Sequence, residues 1–158
     1  MRNSLFILFF FVCTVLHSTS SYYTYSISDG LSNSTIKAIY QDKMGYMWFG
    51  TKDGINRFDG NEIRTYRSDV QQRNAVFNND ITFIAGDENG YMWIGSFNGI
   101  ELFDLYTEEF LSLDTYFPGQ TMPTGIVSGI YVESSSKVWI STKNGLYFLD
   151  KNAGVVVF

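Results

Sequence analysis

YQDKMGYMWFGTKDGINRFD (Tyr40 to Asp59), AGDENGYMWIGSFNGIELFD (Ala85 to Asp104) and YVESSSKVWISTKNGLYFLD (Tyr131 to Asp150) align without gaps once each is laid on its tryptophan. Trp48, Trp93 and Trp139 are 45 and 46 residues apart, a period that suits propeller blades of four strands and is longer than ankyrin or tetratricopeptide units. Trp48, Gly50, Gly54 and Asp59 recur as Trp93, Gly95, Gly99 and Asp104. The third repeat keeps Trp139, Gly145 and Asp150 and puts Ser141 where the others have the strand glycine.

Each repeat reads as four short strands. In the first, β-branched and aromatic residues run from Ile36 to Gln41 and again from Tyr46 to Thr51. Lys52-Asp53-Gly54 turns the chain into a third strand, Ile55 to Asp59, because glycine accepts the positive φ of a tight turn. Asp59-Gly60 leads to a fourth, Glu62 to Arg67, with Phe110 to Leu113 and Val155 to Phe158 in the equivalent places. The second strand is apolar on both faces, Met47 and Phe49 pointing one way and Tyr46 and Trp48 the other. A sheet needing cover on both faces suits a blade held between neighbours better than a sandwich with one solvated side. The expected fold is all-β: a partial β-propeller of about three four-stranded antiparallel blades, at about 36–68, 81–114 and 126–158.

Residues 22–28 read as an orphan N-terminal outer strand, since Thr24-Tyr25 before Ser28-Asp29 parallels Thr65-Tyr66 before Ser68-Asp69. Such a strand would close the ring by completing a last blade whose other strands this chain lacks. The chain therefore reads as an arc of a larger ring, expected to self-associate or to be poorly ordered at its ends when alone.

Residues 1–20 are set apart as a signal peptide: Arg2 precedes an apolar run from Leu5 to Leu16, short of the roughly 20 residues of a membrane helix, and small residues follow at Ser18 and Ser20. A periplasmic location for residues 21–158 follows. Cleavage removes Cys13 and His17, the one cysteine and one histidine, and with them disulfides, a thiolate nucleophile, a Ser-His pair and the usual zinc ligands. The formal charge of −5 becomes −6 when Arg2 leaves, which disfavours nucleic acid as a partner. No cofactor and no metal is expected.

The blocks Asp29-Gly30-Leu31-Ser32, Gln41-Asp42 through Trp48-Phe49-Gly50-Thr51, and Asp53-Gly54-Ile55-Asn56-Arg57-Phe58-Asp59-Gly60 resemble the two-component regulator propeller repeat. The likeness covers nearly all of residues 21–158 and fades in the third repeat, where Ser136 replaces the turn glycine. The resemblance implies the N-terminal periplasmic sensor region of a hybrid two-component histidine kinase, commonly of seven blades, answering to an oligosaccharide. It also implies an immunoglobulin-like domain, a membrane helix, a kinase, a receiver and often a DNA-binding module further along, none of which is in this sequence. No catalysis is expected of this chain. A secreted lectin-like propeller is the alternative, and a fragment of a polysaccharide-active enzyme a more distant one.

The repeated residues read as structure. A tryptophan at one fixed strand position in every blade packs a core before it stacks on a sugar, and a repeated Asp before a turn accepts backbone N–H groups. Function is sought where the repeats differ, on the blade-linking loops Asp29 to Thr35, Val70 to Asp80 and Thr115 to Gly125. There Asn33, Lys37 and Asn78 are the candidate ligand-binding residues, as donors and acceptors for sugar hydroxyls.

Overall fold

In the computed structural model, residues 21–68 and 78–158 are described. The signal-peptide expectation for residues 1–20, and the part of the second loop from Val70 to Phe77, lie outside them. Twelve strands form three separate antiparallel sheets of four. The first sheet is β1 (Ile36–Gln41), β2 (Met47–Thr51), β3 (Gly54–Phe58) and β4 (Ile63–Tyr66). The second is β5 (Ile81–Gly86), β6 (Tyr91–Ser96), β7 (Gly99–Asp104) and β8 (Glu109–Leu111). The third is β9 (Val127–Val132), β10 (Lys137–Thr142), β11 (Gly145–Asp150) and β12 (Val155–Val157). Within each sheet neighbours in sequence are neighbours in space, so each is a meander and makes one blade.

Turn chemistry fixes the meander. Gly54, Gly99 and Gly145 hold φ values of +108°, +128° and +157° at the hairpins joining the second and third strands of each blade. Asp59, Asp104 and Asp150 each use Oδ1 to accept two backbone N–H groups from the turn that follows, at 2.8 to 3.3 Å. Those two devices set the strand register at both ends of the third strand.

The apolar cores lie between blades. One seam gathers Trp48, Ile55 and Tyr66 of the first blade with Ile81, Met92, Ile94, Phe103 and Leu105 of the second. The other gathers Trp93, Ile100 and Leu102 with Val127, Val138, Ile140 and Leu149 of the third. Alternation along a strand sends Trp93 to one seam and its neighbours Met92 and Ile94 to the other, which is why both faces of the second strand are apolar. Polar stitches run across the same seams: Lys37 Nζ pairs with Asp80 Oδ1, and Thr82 Oγ1 donates to the Val127 carbonyl at 2.7 Å.

One expectation is corrected. Residues 22–28 form no strand; 21–26 carry no regular structure and Ile27–Asp29 is a turn of 3-10 helix. A strand is made by its ladder, and among the described residues this segment is paired into none of the three sheets. Its tyrosine is nevertheless in place. Tyr25 packs on Phe58 with ring centroids 4.8 Å apart, as Tyr66 packs on Phe103 at 5.6 Å across the seam between the first two blades. The tryptophans also differ: Trp48 and Trp93 are buried, whereas Trp139 is 37% exposed because no blade covers the far face of the third sheet.

Candidate ligand-binding face

In a blade of antiparallel strands, the hairpin between strands two and three emerges at the same end as the loop leading to the next blade. Backbone hydrogen bonds lock the two together at this end: Gly54 N–H to the Asn79 carbonyl (2.7 Å), Phe97 N–H to Asp80 (2.8 Å) and Lys143 N–H to Ile126 (2.9 Å). This end of the molecule carries the positions at which the repeats diverge.

A cavity of about 610 Å³ opens there, between the first and second blades, lined by Thr35, Lys37, Lys52, Asn78, Asp80 and Phe97. Lys37 is the second residue of β1, Asp80 leads into β5, and their ion pair bridges the two blades. Phe97 sits at the tip of the β6–β7 hairpin with half its surface exposed, an aromatic side chain standing beside two ammonium groups, an amide and a carboxylate. The arrangement offers donors from both lysines, acceptors from Asp80 and a flat apolar surface.

Of the three residues singled out in the sequence, Lys37 and Asn78 line this cavity together and Asn33 does not. Asn33 Oδ1 accepts the Thr35 N–H at 2.8 Å and Asn78 Oδ1 accepts the Asp80 N–H at 2.9 Å, so each shapes its own loop two residues on. Asn78 adds a second tie, its N–H donating to Glu101 Oε1 at 3.2 Å. Thr35, Lys52, Asp80 and Phe97 were not among the candidates. The signal for them is in the alignment itself: the hairpin position occupied by Lys52 is Phe97 in the second repeat and Lys143 in the third, and the position of Thr35 is Asp80 and then Ile126.

The carboxylates Asp59, Asp104 and Asp150 belong to the opposite end of the blades, each engaged by its own turn. Among the described residues no group of three or more His, Cys, Asp or Glu is placed to hold a metal ion, and no helix is long and apolar enough to cross a membrane.

The two-component regulator propeller family matches at residues 30–53 and 75–98. "Histidine kinase P4" of Formosa agariphila is 37% identical over 73 residues, 44% of this chain and 5% of the kinase. Among solved structures, the extracellular domain of a protein described as a hybrid two-component system of B. thetaiotaomicron superposes with a TM-score of 0.75 at 28% identity, over 86% of this chain and 20% of that one. A second extracellular domain of a hybrid two-component system from the same organism, at 24% identity and a TM-score of 0.60 over 75% of this chain and 17% of that one, supports the fold. This chain thus spans a small part of each relative's length. Three strand quartets on a period of 45 to 46 residues, two of them carrying a match to the family's repeat, make the chain similar to two-component regulator propellers.

Proposed function

We propose that this chain is a ligand-sensing segment of a periplasmic two-component sensor, and that its ligand is an oligosaccharide held at the seam between the first two blades. The observation that carries the reading is the cavity in which Phe97 stands among Lys37, Lys52, Asn78, Asp80 and Thr35. A sugar ring presents an apolar face and a rim of hydroxyls, and this lining offers an exposed aromatic surface beside both donors and acceptors. The relatives lend the context, since they are extracellular domains of hybrid two-component systems and a histidine kinase. A ligand at this seam touches both blades, so its binding energy favours one relative placement of them, which is how a binding event is passed on without catalysis in the binding segment.

The test is a glycan array probed with the labelled chain, followed by calorimetry on the best binder. Phe97→Ala and Lys37→Ala should each weaken binding by about tenfold or more, equivalent to about 1.4 kcal/mol, and Asn33→Ala should leave it unchanged. Binding that survives both substitutions would move the site elsewhere, and an array with no binder would remove the oligosaccharide.

A further inference from the structure

A second cavity, of about 630 Å³, opens on the same end of the molecule between β7 and the segment that follows β8. Ile100, Leu113, Met122 and Pro123 give it apolar walls, and Glu101 and Asp114 bring carboxylates to it. The internal repeat shows what fits such a space, because in the first blade the equivalent space is filled by the chain itself. There Arg67 lays its aliphatic stem beside Gly54, close enough that a Cβ on that glycine would stand 3.0 Å from the Arg67 Cγ. The Arg67 guanidinium donates from Nε to the carboxylate and carbonyl of Asp53, at 3.1 and 3.2 Å, and from Nη2 to the Ser32 carbonyl at 3.3 Å.

The second blade lacks this plug. Its outer strand ends at Leu111 and the chain turns away into a 3-10 helix, Leu113–Thr115, so that the Pro123 carbonyl comes to face Gly99. Counting on from the pairs Ile55↔Tyr66 and Leu102↔Leu111 puts Asp114 at the position of Arg67. A cation is thereby replaced by a carboxylate at the entrance of an open cavity, with Glu101, which accepts the Asn78 N–H, on its wall.

We propose that this cavity binds a small organic cation, a guanidinium or primary ammonium group on an aliphatic stem, in the space that Arg67 fills in the first blade, with the carboxylate supplied by Asp114 because Asn98 stands where Asp53 holds that arginine. Charge-assisted hydrogen bonds donated by the head to the Asp114 carboxylate hold it, and Ile100, Leu113, Met122 and Pro123 receive the stem. The volume lies within the range of small-molecule sites. This site is separate from the oligosaccharide site and does not depend on it.

The probe is agmatine, an aliphatic chain with a guanidinium at one end and an amine at the other, titrated into isotopically labelled chain and followed by amide chemical shifts; hexanamide is the neutral control of similar length. Saturable shifts at Ile100, Leu113 and Asp114 are expected with agmatine and none with hexanamide. Asp114→Asn should weaken agmatine by about tenfold, and Asp114→Arg, which returns to the second blade the cation that fills the first, should abolish binding. Because Asp114 is exposed, neither variant should disturb the fold, and Met122→Trp provides an independent block by filling the cavity. No saturation by agmatine up to about 10 mM, or binding indifferent to all three substitutions, would overturn the proposal.

Discussion

Trp48 and Trp93 fill equivalent places and differ in a hydrogen bond. Trp48 Nε1 donates to Asp42 Oδ2 at 2.7 Å, and Trp139 Nε1 donates to Glu133 at 2.8 Å, but the buried Trp93 Nε1 has no hydrogen-bond partner. The equivalent acid, Asp87, instead faces Lys151 Nζ at 3.5 Å, and that ammonium lies over the rings of Tyr91, Trp93 and Tyr116. Asp42 is buried and its Oδ1 also accepts the Met44 and Tyr46 N–H groups, so one side chain satisfies three donors. Asp42→Ala should cost about 2–4 kcal/mol in urea denaturation, since it strands donors that burial keeps from water. Glu133→Ala should cost less than about 1 kcal/mol, because Trp139 is 37% exposed and water replaces the acceptor. Glu108 gives the pH dependence. Its carboxylate bridges Arg57 and Arg64, and the hydrogen bond from Arg57 holds its pKa below the ordinary glutamate value. A lowered pKa contributes stability above the unfolded value of about 4.3 and loses it as pH falls through the folded one. Glu108→Gln should therefore lower the stability at pH 7, by less than about 1 kcal/mol given that the group is a third exposed, and the gap should close as pH falls below the ordinary glutamate range and through the lowered folded-state pKa.

Between elements, the closest approaches decide which residues the repeat can vary. A Cβ on Gly50 would stand 2.6 Å from the Ile81 Cγ2, and one on Gly95 2.5 Å from the Val127 Cγ1, so each strand glycine admits the first strand of the next blade. The third repeat has Ser141 at this position, where no blade packs and the hydroxyl meets Ser128 Oγ at 3.0 Å. Gly95→Ala should destabilise by about 1–3 kcal/mol through overpacking, and Ser141→Ala by less than about 1 kcal/mol. Thermal melts of the two variants measure the contrast. The same logic explains what was legible in the sequence. Trp48, Gly54 and Asp59 each serve a purpose local to one blade or one seam, so their recurrence carried the strand count and the turns. Residues 22–28 match an outer strand in sequence yet form no strand here, because a ladder depends on residues far away. The site was half legible: Lys37 and Asn78 sit on loops that differ between repeats, but Phe97 joins them only because Phe97 N–H bonds Asp80 and brings the hairpin tip over the next loop. That juxtaposition is a product of the seam and has no local signature.

At the scale of the molecule, the two seams predict the behaviour of the surfaces that have none. The position that packs beside each tryptophan is Ile55, fully buried, then Ile100, 9% exposed, then Leu146, 56% exposed. Tyr131, Leu146 and Trp139 therefore form an apolar sheet face of the kind that the first two blades hide against a neighbour. The opposite face of the first blade carries Met47, Phe49 and Phe58, at the positions whose counterparts Met92, Ile94 and Phe103 cover Trp48. The two outer faces, that of the first blade partly covered by Tyr25 on Phe58, are thus complementary by repeat, and copies of the chain should associate head to tail through them, at a cost in repulsion from a formal charge of −5 that added salt reduces. Tryptophan fluorescence reads this directly. In dilute solution acrylamide should quench one tryptophan in three, Trp139, while Trp48 and Trp93 stay protected in their seams. Raising the protein concentration, or the salt, should protect the third as well, and Trp139→Phe should remove the quenchable fraction. Three tryptophans equally accessible at every concentration would mean that the seams do not hold; three equally protected in dilute solution would mean that the face of the third blade is covered from within the chain.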